Sequence, residues 1–220
     1  MNANHHIADD ILLSYAAGSL DEPTSILIAT HLALCPLCRQ HVSGAETVGG
    51  ELLNDVEPVS IEEGALESVL ARLDEGDGEP INVSSARKME QNELNLPRPL
   101  SEYIEGSIKS LPWRWLGPGV HYTPLAPDAK GPKVGLLRIA PGTRVPMHGH
   151  SGQEYTMVLS GGYTDMTGNY QRGDVEAAEH GLVHQPVADV GEECVCLVVT
   201  EGTLQPTGFF AKVLQPFFRI

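Results

Sequence analysis

No uninterrupted apolar run in this 220-residue chain approaches the ~20 residues of a membrane-spanning helix. The N-terminus also lacks the positively charged start and apolar core of a secretory signal, so the expected location is the cytoplasm. Basic residues are scarce. Against 29 Asp and Glu stand 14 Lys and Arg, a net charge of −15 that repels phosphate backbones and argues against direct nucleic-acid binding. A basic protein partner fits that balance better. The chain has only 4 cysteines, in one C-x2-C and one C-x-C, a usage that in a reducing compartment favours metal or redox chemistry over structural disulfides. What is present in quantity is apolar sequence, 41% of the chain, enough at this length for two small domains with cores of their own.

The first of these is organised around His31-Leu-Ala-Leu-Cys35-Pro-Leu-Cys38, whose His-x3-Cys-x2-Cys spacing places three donors within one helical turn and the loop after it. A structural zinc needs a fourth ligand. His6 is the first choice, folding back from upstream, with His5 in reserve. Residues 6–20 read as a helix that carries His6 at its start, has Ile7, Ile11, Leu12, Tyr15 and Ala16 on one stripe, and ends at Gly18. Asp21-Glu22-Pro23-Thr24 starts a second helix that delivers His31, and Pro36 is expected to break it into the turn that a C-x2-C pair needs. A third helix restarts near Arg39 and runs to about Asn54. Ser60-Ile-Glu-Glu63 has the form of a capping box opening a helix with Ile61, Ala65, Leu66, Val69, Leu70 and Leu73 on one face and Gly76 at its end. That face either packs on the zinc unit or is left for a partner helix. The Gly-, Pro- and Glu-rich stretch 76–98 reads as a linker.

Beyond it come short β-type runs: 113–115, 134–139, 155–159, 194–200 and 209–214, separated by Gly and Pro turns, as in an antiparallel sandwich or barrel. Gly142-x5-His148-Gly-His150-x3-Glu154-x6-Gly161 is followed by Gly173-x7-Gly181-x2-His184. On a strand, His148 and His150 project from one face, and a hairpin can bring Glu154 and His184 to the same point. Three imidazoles and a carboxylate suit Zn, Fe, Mn or Ni. Cys194-Val-Cys196 puts both sulfurs on one strand face, either toward that metal or filling core, with core the favoured reading. His41, His121 and His180 read as ordinary surface or half-buried histidines, Trp113 and Trp115 as packing residues of the first strand, and Glu62-Glu63 and Asp74-Glu75 as solvated faces.

The segment from His6 through Asp9-Asp10-Ile-Leu-Leu-Ser-Tyr-Ala-Ala-Gly-Ser-Leu20 to Cys38 resembles zinc-binding anti-sigma domains, and the two glycine–histidine motifs resemble those of cupins. The second motif departs from the cupin pattern at Glu179, where proline is usual, and at Ala188, where asparagine is frequent; neither is a ligand position. Taken with the terminal Gln215-Pro-Phe-Phe-Arg-Ile220, the order of these parts resembles the ChrR-type anti-sigma factors. The resemblance implies an α+β multidomain chain: a helical zinc-binding anti-sigma domain over 1–75, the linker 76–98, and an antiparallel β cupin (jelly-roll) domain over 99–220. It implies zinc at His6, His31, Cys35 and Cys38, and a divalent metal, with Zn2+ favoured, at His148, His150, Glu154 and His184. It further implies a 1:1 complex with an extracytoplasmic-function sigma factor, kept from RNA polymerase until an oxidant such as singlet oxygen or an organic hydroperoxide releases it. The rival readings are a metal-dependent cupin dioxygenase or isomerase with an accessory zinc domain, and a protein whose two metals are both structural.

Overall fold

The structure is a computed structural model that describes residues 3–74, 95–104, 107–126, 131–202 and, for the backbone, 204–206. The expected run 209–214 and the end of the fourth helix at Gly76 lie outside the described residues. Helix α1 covers Asp9–Ala16, later than expected, because Ala8 is extended and the acids Asp9 and Asp10 occupy the electropositive first turn. His6 therefore precedes the helix instead of riding on it. Gly18, at φ +65°, ends it as the sequence suggests. Helix α2 (Glu22–Leu34) is capped by Asp21, whose carboxylate accepts the Thr24 N–H at 2.9 Å.

Pro36 does not open a loop. Cys35, at φ −106° and ψ 104°, is at once the last cap of α2 and the first cap of α3 (Pro36–Asn54), and Pro36 takes the first helical position, where its missing N–H costs nothing. Helix α4 (Ala65–Asp74) begins after the Ser60–Glu63 box because Gly64, at φ +83°, turns the chain just before it. Helix α5 (Arg98–Tyr103) buries Leu100 and packs beside α2.

The rest is antiparallel β structure. Strands β1 (Arg114–Gly117), β2 (Val120–Pro124), β3 (Lys133–Ile139), β5 (Glu154–Ser160), β8 (Val175–Ala178) and β11 (Cys194–Thr200) form one sheet in the order β1-β2-β3-β11-β5-β8. Opposite it lie two small sheets. One joins β6 (Gly162–Thr164) to β7 (Asn169–Gln171) and β10 (Val187–Ala188). The other joins β4 (His148–His150) to β9 (Val183–His184) and β12 (Leu204–Pro206). Strand β11 is buried along its whole length, because both faces of the large sheet are covered. Alternation then sorts its side chains. Val195, Leu197 and Val199 join Val134, Leu136, Met157, Leu159 and Val175 in an apolar cluster that also contains Leu27, Ile28 and Leu32 of α2. Cys194, Cys196 and Val198 face the barrel interior with Val158, Tyr163 and Tyr170.

The helical unit thus lies directly on the outer face of the large sheet and shares a core with it, a packing that a separating linker would not suggest. Trp115 is 67% exposed and is not a packing residue, whereas Trp113 is half-buried, donates its indole N–H to Ile108 O at 2.9 Å and lies under Arg138. His41 and His180 are exposed and His121 half-buried, as read from the sequence, and Glu62 and Glu63 are solvated.

Candidate metal centres

The single-residue joint at Cys35 carries the first centre. With Cys35 as N-cap and Cys38 in the first turn of α3, both sulfurs point to the same side, and His31, one turn before the end of α2, reaches them from above. His31 Nε2 lies 3.2 Å from Cys38 Sγ, and His6 Nδ1 lies 3.4 Å from Cys35 Sγ and 3.6 Å from Cys38 Sγ. A tetrahedral zinc with Zn–N of about 2.05 Å and Zn–S of about 2.3 Å has N···S edges of about 3.6 Å, so the four donors fit that ion. His31, Cys35 and Cys38 are buried, and His6 closes the cluster from the exposed side. Burial lowers the pKa of His31, keeping its ring neutral and able to ligate. Burial and the neighbouring Cys35 push the Cys38 thiol up to about 11 without an ion present, a burden that a dication reverses by stabilising the thiolate. His5, the reserve ligand, is elsewhere: its ring packs on Tyr170 at 4.4 Å between centroids, with Nδ1 3.4 Å from Asp174.

The second centre lies inside the barrel mouth. Pairing of β4 with β9 sets His148 directly opposite His184, and His150 follows on the same face. His184 Nε2 is 3.1 Å from both His148 Nε2 and His150 Nε2. Imidazoles bound to one ion at about 2.0–2.2 Å have N···N edges of about 2.8–3.1 Å at right angles and about 3.3–3.6 Å in a tetrahedron, and three converging lone pairs repel unless a cation stands among them. Two rings are fixed with Nδ1–H outward. His148 donates to Pro146 O at 2.8 Å, and His184 donates to Asp165 Oδ2 at 2.7 Å with Glu176 Oε1 at 3.3 Å. Each Nε2 lone pair is thereby left free for an ion. His150 Nδ1 is buried without a hydrogen-bond partner, at 3.5 Å from Glu154 Oε2.

Burial raises the pKa of Glu154, but His150, His148 and the Thr200 hydroxyl outweigh it, and the net shift is downward. Burial lowers that of His148. For His184 burial pulls down, while Glu176 and Asp165 pull harder and raise it. An ionised carboxylate and three imidazoles within 4.8 Å of one another form a donor set for a divalent ion. Asp165, Glu176 and Tyr163, whose hydroxyl donates to Glu176 at 2.6 Å, make up the outer shell and were not legible in the sequence. Strand alternation over 175–178 was the one available signal, since it puts Glu176 and Ala178 on the inner face. Cys194 and Cys196 lie in the barrel core, with sulfurs 3.6 Å apart. The contact with Cys194, together with burial, lifts the Cys196 pKa well above its usual value and keeps it a thiol.

The ChrR cupin-like domain family matches residues 102–204. Over 220 residues, all of both chains, the sequence is 40% identical to the anti-sigma-E factor ChrR of Cereibacter sphaeroides. The chain belongs to the ChrR family of anti-sigma factors. The crystal structure of Rhodobacter sphaeroides SigE in complex with the anti-sigma ChrR superposes with a TM-score of 0.77 at 38% identity, covering 90% of this chain and 100% of that one. The matched relatives are anti-sigma factors, which favours the regulatory reading over the dioxygenase or isomerase alternative. Among the described residues no helix is long and apolar enough to cross a membrane.

Proposed function

We propose that the chain holds an extracytoplasmic-function sigma factor in a 1:1 cytoplasmic complex, away from RNA polymerase, and releases it on oxidative stress by singlet oxygen or an organic hydroperoxide. In this reading residues 1–75 make the binding unit, 76–98 connect, and 99–220 respond to the signal. Zn2+ bound by His6, His31, Cys35 and Cys38 fixes the angle between α2 and α3. A divalent ion, Zn2+ by preference, bound by His148, His150, Glu154 and His184 is the part whose change of state is sensed.

The observation that carries this reading is an exposed apolar surface among the described residues. Val48, Leu52 and Leu53 of α3 and Val56 just after it, with Leu66, Val69, Leu70 and Leu73 of α4, are all at least half exposed. None of them belongs to either core cluster. Apolar side chains at i, i+3, i+4 and i+7 on a helix face that joins no core cluster among the described residues are the form of a helix-in-groove partner face. A relative with the same architecture is known in complex with SigE. The test is purification of the full chain from its own cells. A sigma factor recovered at equal stoichiometry, and inhibition of that factor's transcription by the purified chain, is the expected result; a sigma factor left fully active by saturating protein refutes it.

A further inference from the structure

The first glycine of the second cupin motif faces the helical unit. Gly173, at φ +95°, lies beside Ala3 and Leu34, whose side chains a Cβ there would meet in ordinary van der Waals contact at 3.8 Å. Its carbonyl accepts the His31 Nδ1–H at 2.8 Å, which leaves the Nε2 lone pair directed at the cluster. Asp174, 1% exposed, follows. Its Oδ1 accepts the backbone N–H groups of Asn4 at 2.6 Å and His5 at 3.0 Å, and its Oδ2 accepts that of Gln171 at 2.8 Å. The Val175 N–H donates to His5 O at 3.2 Å. The residue directly before His6 is therefore pinned on both its N–H and its C=O. One residue on, Glu176 turns inward and lies 3.3 Å from His184 Nδ1.

We propose that residues 173–176 are the outer shell of both metal sites at once, Gly173 and Asp174 positioning His31 and His6, and Glu176 positioning His184. A change at the cupin metal then reaches the zinc through four consecutive residues, the end of the β7–β8 turn and the first two positions of β8. The inference rests on the metal reading of the two clusters. It goes beyond that reading because it makes the cupin a physical part of the zinc site: without the sheet, His31 loses the acceptor that orients its ring, and the segment before His6 loses its anchor. Positioning groups of this kind are worth about 10- to 100-fold in metal affinity.

The experiment uses the full-length chain loaded with Co2+. A thiolate-to-cobalt absorption band reports the centre with Cys35 and Cys38 alone, because the cupin donors include no sulfur. Band position and the rate of metal transfer to a chelator are measured for the wild type, Asp174→Asn, Glu176→Gln and the double variant. Asp174→Asn is expected to shift the band and speed release from the thiolate site by about tenfold or more with secondary structure unchanged. Glu176→Gln lies on the barrel side of the sheet and keeps the test open if Asp174→Asn does not fold. It is expected to weaken cupin metal and also to shift the thiolate band, with the two effects less than additive in the double variant. A thiolate band and release rate that ignore both substitutions overturn the inference. Absence of any thiolate band in the wild type overturns the zinc reading itself, and the inference with it.

Discussion

Replacing Leu70 and Leu73 together by alanine tests whether α4 is a partner face. The two side chains are 50% and 72% exposed in the free chain. Full burial of a leucine contributes ~1.5–3 kcal/mol, so covering these exposed fractions against a sigma factor supplies roughly 2–4 kcal/mol for the pair. Their loss weakens the complex by roughly 30- to 700-fold in Kd, at 1.4 kcal/mol per decade. Alanine is the strongest helix former, so α4 itself persists. The free protein should melt as before, because these side chains support no core of their own. The assay is binding of the labelled sigma factor by anisotropy, with a thermal melt of each variant alone. A Kd within about threefold of wild type, outside the error of additivity for such a change, refutes the assignment. So does a large fall in the melting temperature, which would mean the helix is intramolecular core.

Cys38→Ser should lose zinc and sigma inhibition together, since a structural zinc contributes on the order of 10 kcal/mol to folding; a zinc-loaded, inhibitory variant would show a different ligand set. His150→Ala and Glu154→Ala should keep basal inhibition yet lose release on oxidant, read by a sigma-dependent reporter. The release they abolish needs a coupling of only ~1–3 kcal/mol, and normal induction in these variants would remove the cupin from the response. Because Ile28 shares an apolar cluster with Leu159 and Leu197, calorimetry should find one unfolding transition for the helices and the sheet. Ile28→Ala should destabilise that single transition by ~2–5 kcal/mol, and two separable transitions would contradict the shared core.

Both donor sets were legible because chemistry demands short, fixed spacings: His31, Cys35 and Cys38 fall within two helix ends, and His148 and His150 alternate on one strand. The run 194–200 was legible as β11 for a different reason, since a strand covered on both faces is apolar at every position. Less was visible where contacts cross the chain. The His31–Gly173 hydrogen bond joins residues 142 apart, and no local pattern announces it. Asp165 reaches His184 from the β6–β7 turn, whose sequence reads only as a turn. Strands of two to four residues such as β6, β9 and β10 carry too few positions for alternation to show. Apolar spacing continues through Ile7 and suggests an earlier start for α1, while the cap at Ala8 and the acids after it decide where the helix begins.

Cys35 has one further consequence. A corner built from a single residue contains no slack: one φ/ψ pair sets the angle between two helices, and the proposed zinc would clamp that pair from outside. Inserting one residue into the last turn of α2, between His31 and Cys35, would turn the corner by about 100° about the α2 axis relative to His31, carrying Leu52, Leu53 and the start of α4 to another side of the molecule. The corner is therefore a gauge as well as a ligand: the length of chain between His31 and Cys38 fixes which way the uncovered surface faces. Relatives that bind by this surface should vary freely in the stretch after α4 and not at all in length between these two residues.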